Sequence, residues 1–202
     1  VDIGLPDDFK PLQLHTRIVI DEDFVRKHLP SRPNDAHKGT FGEALIVGGS
    51  RHYPGAPLLV ARAAFRSGAG WVECALPHSV CHQMAASFLE STWHPLPEFN
   101  GAIHENAVET LASRLKGVSA VLLGPGLGSE PTTRQFVEQA LNIMATRRLV
   151  IDADGLNHLA AIKDWPNALP SETILTPHPG EMARLTGLAI GEIQADRIAI
   201  AE

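Results

Sequence analysis

The 202-residue sequence predicts an α/β protein: one mostly parallel sheet with helices packed on both of its faces. Short, nearly unbroken apolar runs alternate with longer stretches of helical periodicity, which is how strands buried on both sides read. Four of those runs end in loops crowded with Gly, Asp, Asn and His. Ala44-Val47 runs into Gly48-Gly49-Ser50, and Ala120-Leu123 into Gly124-Pro125-Gly126-Leu127-Gly128. Leu149-Ile151 runs into Asp152-Ala153-Asp154-Gly155-Leu156-Asn157, and Ile174-Leu175 into Thr176-Pro177-His178-Pro179-Gly180-Glu181. Ligands of open parallel sheets bind beyond the carboxyl ends of the strands. Loops of this composition at that position point to a small, phosphorylated ligand.

Residues 1–36, punctuated by Pro6, Pro11, Pro30 and Pro33, form a loosely patterned lead-in. It holds one short predicted helix, Asp21-Leu29, with Asp21 as N-cap. The alternation begins with strand Ala44-Val47 and helix Gly55-Ser67. In that helix Leu58, Leu59, Ala63 and Phe65 are expected inward, and Ala56, Ala61 and Ala64 permit close packing. Gly68-Ala69-Gly70 ends it, glycine being free to take the left-handed cap conformation. Strand Trp71-Leu76 and a helix around Ser79-Ser87 follow. Residues 91–104, with Pro95, Pro97 and Gly101, read as irregular with room for a short edge strand. Helix Glu105-Leu115, strand Val118-Leu123, helix Pro131-Ala145 and strand Leu149-Ile151 come next. Helix Gly155-Ile162, strand Thr173-Leu175 and helix Gly180-Leu185 complete the alternation. Ile190-Glu202 reads as an amphipathic helix with Ile190, Ile193, Ile198 and Ala201 on its apolar side.

Composition narrows the function classes. With 44% hydrophobic and 20% charged residues and a net charge of -6, the chain can bury one core. It lacks the basic clusters that nucleic acid or an anionic membrane would need. Cys74 and Cys81 are too few for a disulfide framework or a zinc site, which suits a reducing, cytoplasmic setting. No run approaches the roughly eighteen apolar residues of a membrane span. The opening Val1-Asp2-Ile3-Gly4 is not a signal peptide. It also lacks an initiator Met, and the final helix leads into no further strand, so both ends are expected to belong to a longer chain.

Gly124 to Gly128 sits between a strand and a helix. Glycines there let backbone amides approach a phosphate or sugar, with a helix N-terminus beyond. A tight backbone turn fits the same spacing, and the segment is not a dinucleotide fingerprint. Asp152 and Asp154 are able to orient hydroxyls or hold Mg²⁺ through water. A purely structural alternative has Asp154 capping the next helix and Asp152 satisfying a turn amide. Asn157, one turn into that helix, is the better ligand candidate because capping does not need it. His178 is fixed between two prolines and carries an imidazole able to donate or accept a proton, and Glu181 either caps the following helix or holds that imidazole. Tyr53-Pro54-Gly55-Ala56 opens a helix where amides are unpaired, and small Ala56 leaves room for a ligand. His37-Lys38-Gly39-Thr40-Phe41-Gly42 precedes the first strand, either as a polar turn or as a cover supplying Lys38 to a phosphate. His52, His78, His82, His94, His104 and His158 are expected at the surface. No Ser-His-Asp order, Walker sequence or Cys/His metal spacing occurs.

Taken in order, His37 to Gly42, Val47-Gly48-Gly49-Ser50, Gly55-Ala56, Ser67-Gly68-Ala69-Gly70, Gly124 to Gly128, Asp152 to Asn157 and Thr176 to Glu181 resemble the ADP-dependent NAD(P)H-hydrate dehydratases. The resemblance covers roughly residues 37–202. Val1-Asp2-Ile3-Gly4-Leu5-Pro6 also resembles the end of the NAD(P)H-hydrate epimerase domain that precedes the dehydratase in bifunctional members. The resemblance implies a ribokinase-like three-layer fold with its C-terminal part missing. It divides the chain into an epimerase tail or linker, residues 1–12, and the N-terminal portion of a dehydratase domain, residues 13–202.

The implied activity is repair of hydrated NADH or NADPH at the expense of ADP (ATP in eukaryotic members), releasing AMP and phosphate. The implied partners are the hydrate and ADP, with Mg²⁺ as a possible companion, no protein metal site and a homo-oligomeric assembly. By motif position Ala56, Gly126 and His178 match the family's hydrate-binding residues, with Asn157 a neighbour. Gly124, Gly128, Asp152, Asp154 and Glu181 are further candidates. The family's Lys-Gly nucleotide segment and its Gly-x-Gly-Asp motif, which carries the expected catalytic Asp, have no counterpart here. The 202-residue chain alone is therefore expected to be inactive and its parent active. Two other readings share the architecture: a kinase of a small vitamin-precursor alcohol, and a non-catalytic nucleotide-binding module. A Rossmann dehydrogenase lacks its fingerprint.

Overall fold

In the computed structural model, which describes residues 18–202, β1 (Glu43–Val47) is the strand from which a six-stranded parallel sheet extends in both directions. On one side it pairs with β2 (Trp71–Pro77), which carries β3 (Thr92–Leu96). On the other it pairs with β6 (Ala120–Leu123), followed by β7 (Arg148–Ile151) and β8 (Thr173–Leu175). The segment read as irregular thus contributes a full edge strand. It also forms a two-stranded antiparallel hairpin, β4 (Glu98–Phe99) with β5 (Ala102–Ile103). Asn100 and Gly101, at φ 52° and 75°, make its turn, and two successive positive φ values match the twist of a tight hairpin.

Alternate residues of the strands serve two cores, as the period of two requires. Leu45, Val47, Val121, Leu123, Leu149 and Ile151 pack with α4 (Ala107–Arg114), α5 (Pro131–Ile143) and α6 (Asp154–Leu159). Ile46, Val72, Cys74 and Leu76 pack with α2 (Ala56–Ser67) and α3 (His78–Met84) on the other face. Burial pushes the Cys74 and Cys81 thiols up to about 11, so both are packing groups and not nucleophiles. Among the described residues, the helices that pack on this second face cover β1–β3. Across β6–β8, Leu122, Val150 and Ile174 stand in one register row; the first two are half-buried and Ile174 is 61% exposed.

Two sequence expectations for helices are corrected. In α2 the inward stripe runs through Pro57, Leu58, Ala61, Ala64 and Phe65, while Leu59 and Ala63 are exposed. Pro57, Leu58, Ala61, Ala64 and Phe65 follow the i, i+1, i+4, i+7, i+8 spacing of one helix face, and Leu59 and Ala63 fall outside it. Residues 190–202 form two short helices after α7 (Pro179–Thr186): α8 (Ile190–Ala195) and α9 (Arg197–Ala201). Asp196 breaks the run, and its Oδ1 accepts from the Ala199 amide at 3.1 Å, an N-cap that competes with helix continuation. Ile193 is buried, whereas Ile190 and Ile198 are half-exposed.

The described residues divide into two units, 18–36 and 37–202. The described part of the first holds α1 (Glu22–His28), capped as expected by Asp21, whose Oδ1 accepts from the Phe24 amide at 2.8 Å. The expected boundary at residue 12 lies outside the described residues.

At the amino ends of the strands, Arg114 closes α4 and pairs with both Glu43 of β1 and Glu73 of β2. Glu73 is 6% exposed, and burial pushes its carboxyl up. Arg114→Ala leaves these carboxylates without their shared cation, and breaking a buried pair costs about 3 kcal/mol. At the usual scaling for this size, the melting temperature should fall by about 6–12 °C. Arg148→Ala, which breaks the exposed Arg148–Glu172 pair, should leave it nearly unchanged. Thermal melts followed by circular dichroism check both.

Candidate active site

Loops after β1, β6, β7 and β8 meet at the carboxyl rim of the sheet, and backbone atoms lock the first three together. The Gly49 amide donates to the Pro125 carbonyl at 2.8 Å, which ties the β1 loop to the β6 loop. Gly124 has φ 136°, and a Cβ there would lie 1.9 Å from the Asp152 carbonyl oxygen. Gly126 has φ 72°, and its Cβ would lie 2.7 Å from the Tyr53 carbonyl and 3.1 Å from the Ala56 Cβ. The glycines expected to face a ligand therefore also serve contact between loops. Gly126 and Ala56 touch, and the Tyr53 side chain beside them is 56% exposed.

Neither aspartate takes the structural role expected of it. Ala153, not Asp154, stands at the N-cap of α6, with φ 53° and ψ -124°. Asp154 reaches across to the β6 loop, where its Oδ2 accepts from the Gly128 amide at 2.9 Å. Its Oδ1 accepts from Asn157 Nδ2 at 3.4 Å. Asp152 Oδ1 accepts from the Thr176 hydroxyl at 2.8 Å, joining the loops after β7 and β8. Asn157 Oδ1 in turn accepts from Arg184 Nη1 at 3.1 Å.

His178 is the N-cap of α7. Its Nδ1 accepts from the Gly180 amide at 3.0 Å and the Glu181 amide at 3.4 Å. The ring proton is therefore on Nε2, which lies 3.2 Å from Glu181 Oε1. Glu181 plays both roles considered for it, since its Oε2 also accepts from the His178 amide at 2.8 Å. The carboxylate is buried, while the imidazole is 64% exposed. One ring is thus both a helix cap and an exposed group on the rim. β6 and β8 are two strand spacings apart, so Gly126 and His178 follow strand ends about 10 Å from each other.

Other expectations fall away from this rim. His37 to Gly42 lies at the amino end of the strands. There the Gly42 carbonyl accepts from the Trp71 amide at 3.2 Å, and Lys38 Nζ sits 4.5 Å from the Trp71 ring centroid. Lys38 is therefore at the opposite end of the sheet from Gly126 and His178. His158, expected at the surface, is 5% exposed and its Nε2 donates to the Gly128 carbonyl at 2.8 Å. His94 Nε2 is buried as well. His158 lies on the inward side of α6 beside Leu159, and that position in the helical stripe could have marked it as buried. Arg134 and Arg184 were not singled out. Arg184 falls one turn after Gly180 on the same face of α7, and its long side chain reaches back to the Gly180 carbonyl at 3.3 Å.

Two openings adjoin the rim. One of about 810 Å³ is mainly apolar and lined by Trp165, Leu175, His178, Met182 and Leu185 among others. A smaller one of about 410 Å³ is polar and lined by Gly128, Arg134, Asp154, Asn157 and Arg184. Gly128, Asp154 and Asn157 of the candidate residues line the second, and His178 lines the first.

The sequence pattern of the NAD(P)H-hydrate dehydratase family (Carb_kinase) matches residues 44–202. The bifunctional NAD(P)H-hydrate repair enzyme Nnr of Moorella thermoacetica is 39% identical over 201 residues, covering 99% of this chain and 38% of that protein. An ADP/ATP-dependent NAD(P)H-hydrate dehydratase of Bacillus subtilis, co-crystallised with ATP and Mg²⁺, superposes with a TM-score of 0.69 at 32% identity. That superposition covers 90% of this chain and 60% of the other. A ribokinase-like superfamily protein of Enterococcus faecalis, 23% identical, superposes with a TM-score of 0.73 over 93% of this chain and 64% of its own, which shows the fold. The chain belongs to the NAD(P)H-hydrate dehydratase family, and its α/β fold is ribokinase-like.

Two measurements check the local physics. Ala153 has a backbone conformation that glycine adopts freely, at a cost of about 1–3 kcal/mol for other residues. Ala153→Gly should raise stability by about 0.5–1 kcal/mol in denaturant titration, the relief being partly offset by the greater freedom of glycine in the unfolded chain. His158 has its pKa lowered, first by burial. A depressed histidine pKa means that below about 6.5 the unfolded chain takes up a proton that the folded chain refuses, so stability falls as the pH drops through that range. His158→Gln should remove this part of the slope, read from urea titrations between about pH 5 and 7.

Proposed function

We propose that this chain supplies the substrate-holding part of an ADP-dependent NAD(P)H-hydrate dehydratase, which repairs hydrated NADH or NADPH. The observation that supports the reading most directly is the meeting of Ala56 and Gly126 on the same rim as Asn157 and His178, in a chain of this family. Hydroxide is a poor leaving group. In the proposed reaction the ring hydroxyl of the hydrate attacks the terminal phosphorus of ADP, the bond to AMP breaks and the hydroxyl proton is lost. The lone pair of the ring nitrogen then expels phosphate, and loss of the neighbouring ring proton restores the double bond. Such chemistry depends on positioning and charge more than on covalent participation by the protein.

The chain's own residues suit the first of these tasks. Ala56 and Gly126 present no side chain beyond a methyl, so a flat ring can lie against the backbone. His178 offers an exposed ring held in one orientation by the two α7 amides and Glu181. Because Nδ1 is already an acceptor, His178 fits an orienting role better than that of a proton acceptor. Among the described residues no group of three or more His, Cys, Asp or Glu could hold a metal ion. Asp152 and Asp154 are hydrogen-bonded to Thr176, Gly128 and Asn157. These residues do not make a metal cage, and a Mg²⁺ entering with the nucleotide would be held mainly by phosphate oxygens and water. Self-association and a cytoplasmic setting belong to the same reading; sedimentation at several concentrations checks the first.

The test joins this chain to the remaining residues of the Moorella dehydratase domain and supplies NADH hydrate or NADPH hydrate with ADP and Mg²⁺. Return of reduced-nicotinamide absorbance, with equal release of AMP and phosphate, is expected. The 202-residue chain alone should bind the hydrate without turning it over. Ala56→Val should raise the KM for hydrate about tenfold, as overpacking a tight contact does, and leave that for ADP unchanged. Recovery that needs no ADP, or phosphorylation of an unrelated alcohol instead of the hydrate, would overturn the reading.

A further inference from the structure

We propose that Arg134 and Arg184 form a cradle for a phosphate group of the dinucleotide substrate, holding the far end of a molecule whose nicotinamide meets Ala56, Gly126 and His178. The proposal rests on the function proposed above and names a further binding site within it. Both arginines line the polar opening of about 410 Å³. Arg184 is already oriented, because Nη1 donates to Asn157 Oδ1 at 3.1 Å and to the Gly180 carbonyl at 3.3 Å. Those bonds use one nitrogen of a group that carries five N–H donors in a rigid fork. Arg134 reaches the opening from the first turns of α5 and is exposed. A guanidinium fork matches the oxygens of a phosphate, and two forks at one opening can hold one phosphate from two sides.

The other groups at this opening leave its sign positive. Asp154 is the one carboxylate in the lining, and its oxygens are turned to the Gly128 amide and Asn157 Nδ2. His158 donates to the Gly128 carbonyl, and burial favours its neutral form. On a chain with a net charge of -6, two arginines against one carboxylate leave this opening with a net positive charge, which suits an anion. The N-terminal turn of α5 adds its partial positive charge in the same place. A second observation comes from beneath Gly128. Ser50 is 3% exposed, its hydroxyl has no partner among the described residues, and its Oγ lies 3.7 Å from where a Cβ on Gly128 would stand.

The test uses the chain as it stands and measures binding of NADH, NADPH, reduced nicotinamide mononucleotide and ADP by calorimetry at low and moderate salt. Wild-type protein should bind the dinucleotides more weakly as salt rises. Arg134→Ala and Arg184→Ala should each weaken binding about tenfold, the usual worth of a charge-assisted contact, while Arg66→Ala, an exposed charge on another face, should not. Arg134→Lys should recover part of the loss, and unchanged thermal melts exclude unfolding. Equal losses for NADH and NADPH point to the pyrophosphate, and a loss confined to NADPH points to its 2′-phosphate. If the wild type binds dinucleotide and both alanine variants bind it equally well, or if only ADP is weakened, the cradle is overturned while the proposed function stands. If no dinucleotide binds to the wild type, the reading beneath it fails as well.

Discussion

The rim depends on contact between backbones that leaves no room for side chains. The β6 loop is wedged between the loops after β1 and β7, with Gly124 pressed on the Asp152 carbonyl and Pro125 accepting from Gly49. Bonds of this kind do not rely on the rotamer of a long side chain, so the loops keep one arrangement with little conformational freedom left to lose. A site made this way is organised before ligand arrives, and less ordering has to be paid for on binding. The placement of each polar group follows. Gly126 comes against Ala56, the Gly128 amide reaches Asp154, and Asp154 sets Asn157 in line with Arg184.

The two ends of the sheet divide the physical work. At the carboxyl end, hydrogen bonds run between neighbouring loops and leave small residues and an imidazole facing outward. At the amino end, Arg114 gathers Glu43 and Glu73, and Lys38 lies over Trp71. A buried ion cluster is a poor source of net stability, but it punishes misplacement because any slip strands a charge. Arg114 and its two carboxylates come from α4, β1 and β2, and His94 of β3 stands 3.9 Å from Glu73. The cluster therefore pins one helix to the first parallel pair at the end of the sheet opposite Gly126 and His178.

Much of this was legible in the sequence because strands and loops carry strong local signals. Runs such as Ala120-Leu123 ending in Gly124 marked both the parallel sheet and the rim, and the helix read over Gly180-Leu185 is α7, which starts one residue earlier at Pro179. What stayed hidden depended on neighbours distant in sequence. Thr92–Leu96 contains a proline and reads as irregular, yet its edge position tolerates the missing amide. His158 looks like one of several scattered histidines until the Gly128 carbonyl, 30 residues earlier, arrives to accept its proton. Asp154 has a helix-cap address and a different job, because the Gly128 amide competes for the same oxygen. Arg134 and Arg184 carry no motif at all, and only the fold puts them at one opening.

His178 shows why a structural and a functional explanation need not exclude each other. A capping residue must hold an acceptor over the first free amides of a helix, and Ser, Thr, Asp or Asn does this with a short side chain. An imidazole does it with Nδ1 and still projects a ring beyond the cap. Glu181 completes the arrangement from the buried side by binding both the His178 amide and Nε2, so the ring has two anchors and little torsional freedom. Pro177 and Pro179 restrict the backbone on either side. The same contacts that begin α7 therefore fix the one aromatic group that the β8 loop offers to the rim. A smaller cap would start the helix equally well, but it would place no flat ring at the rim.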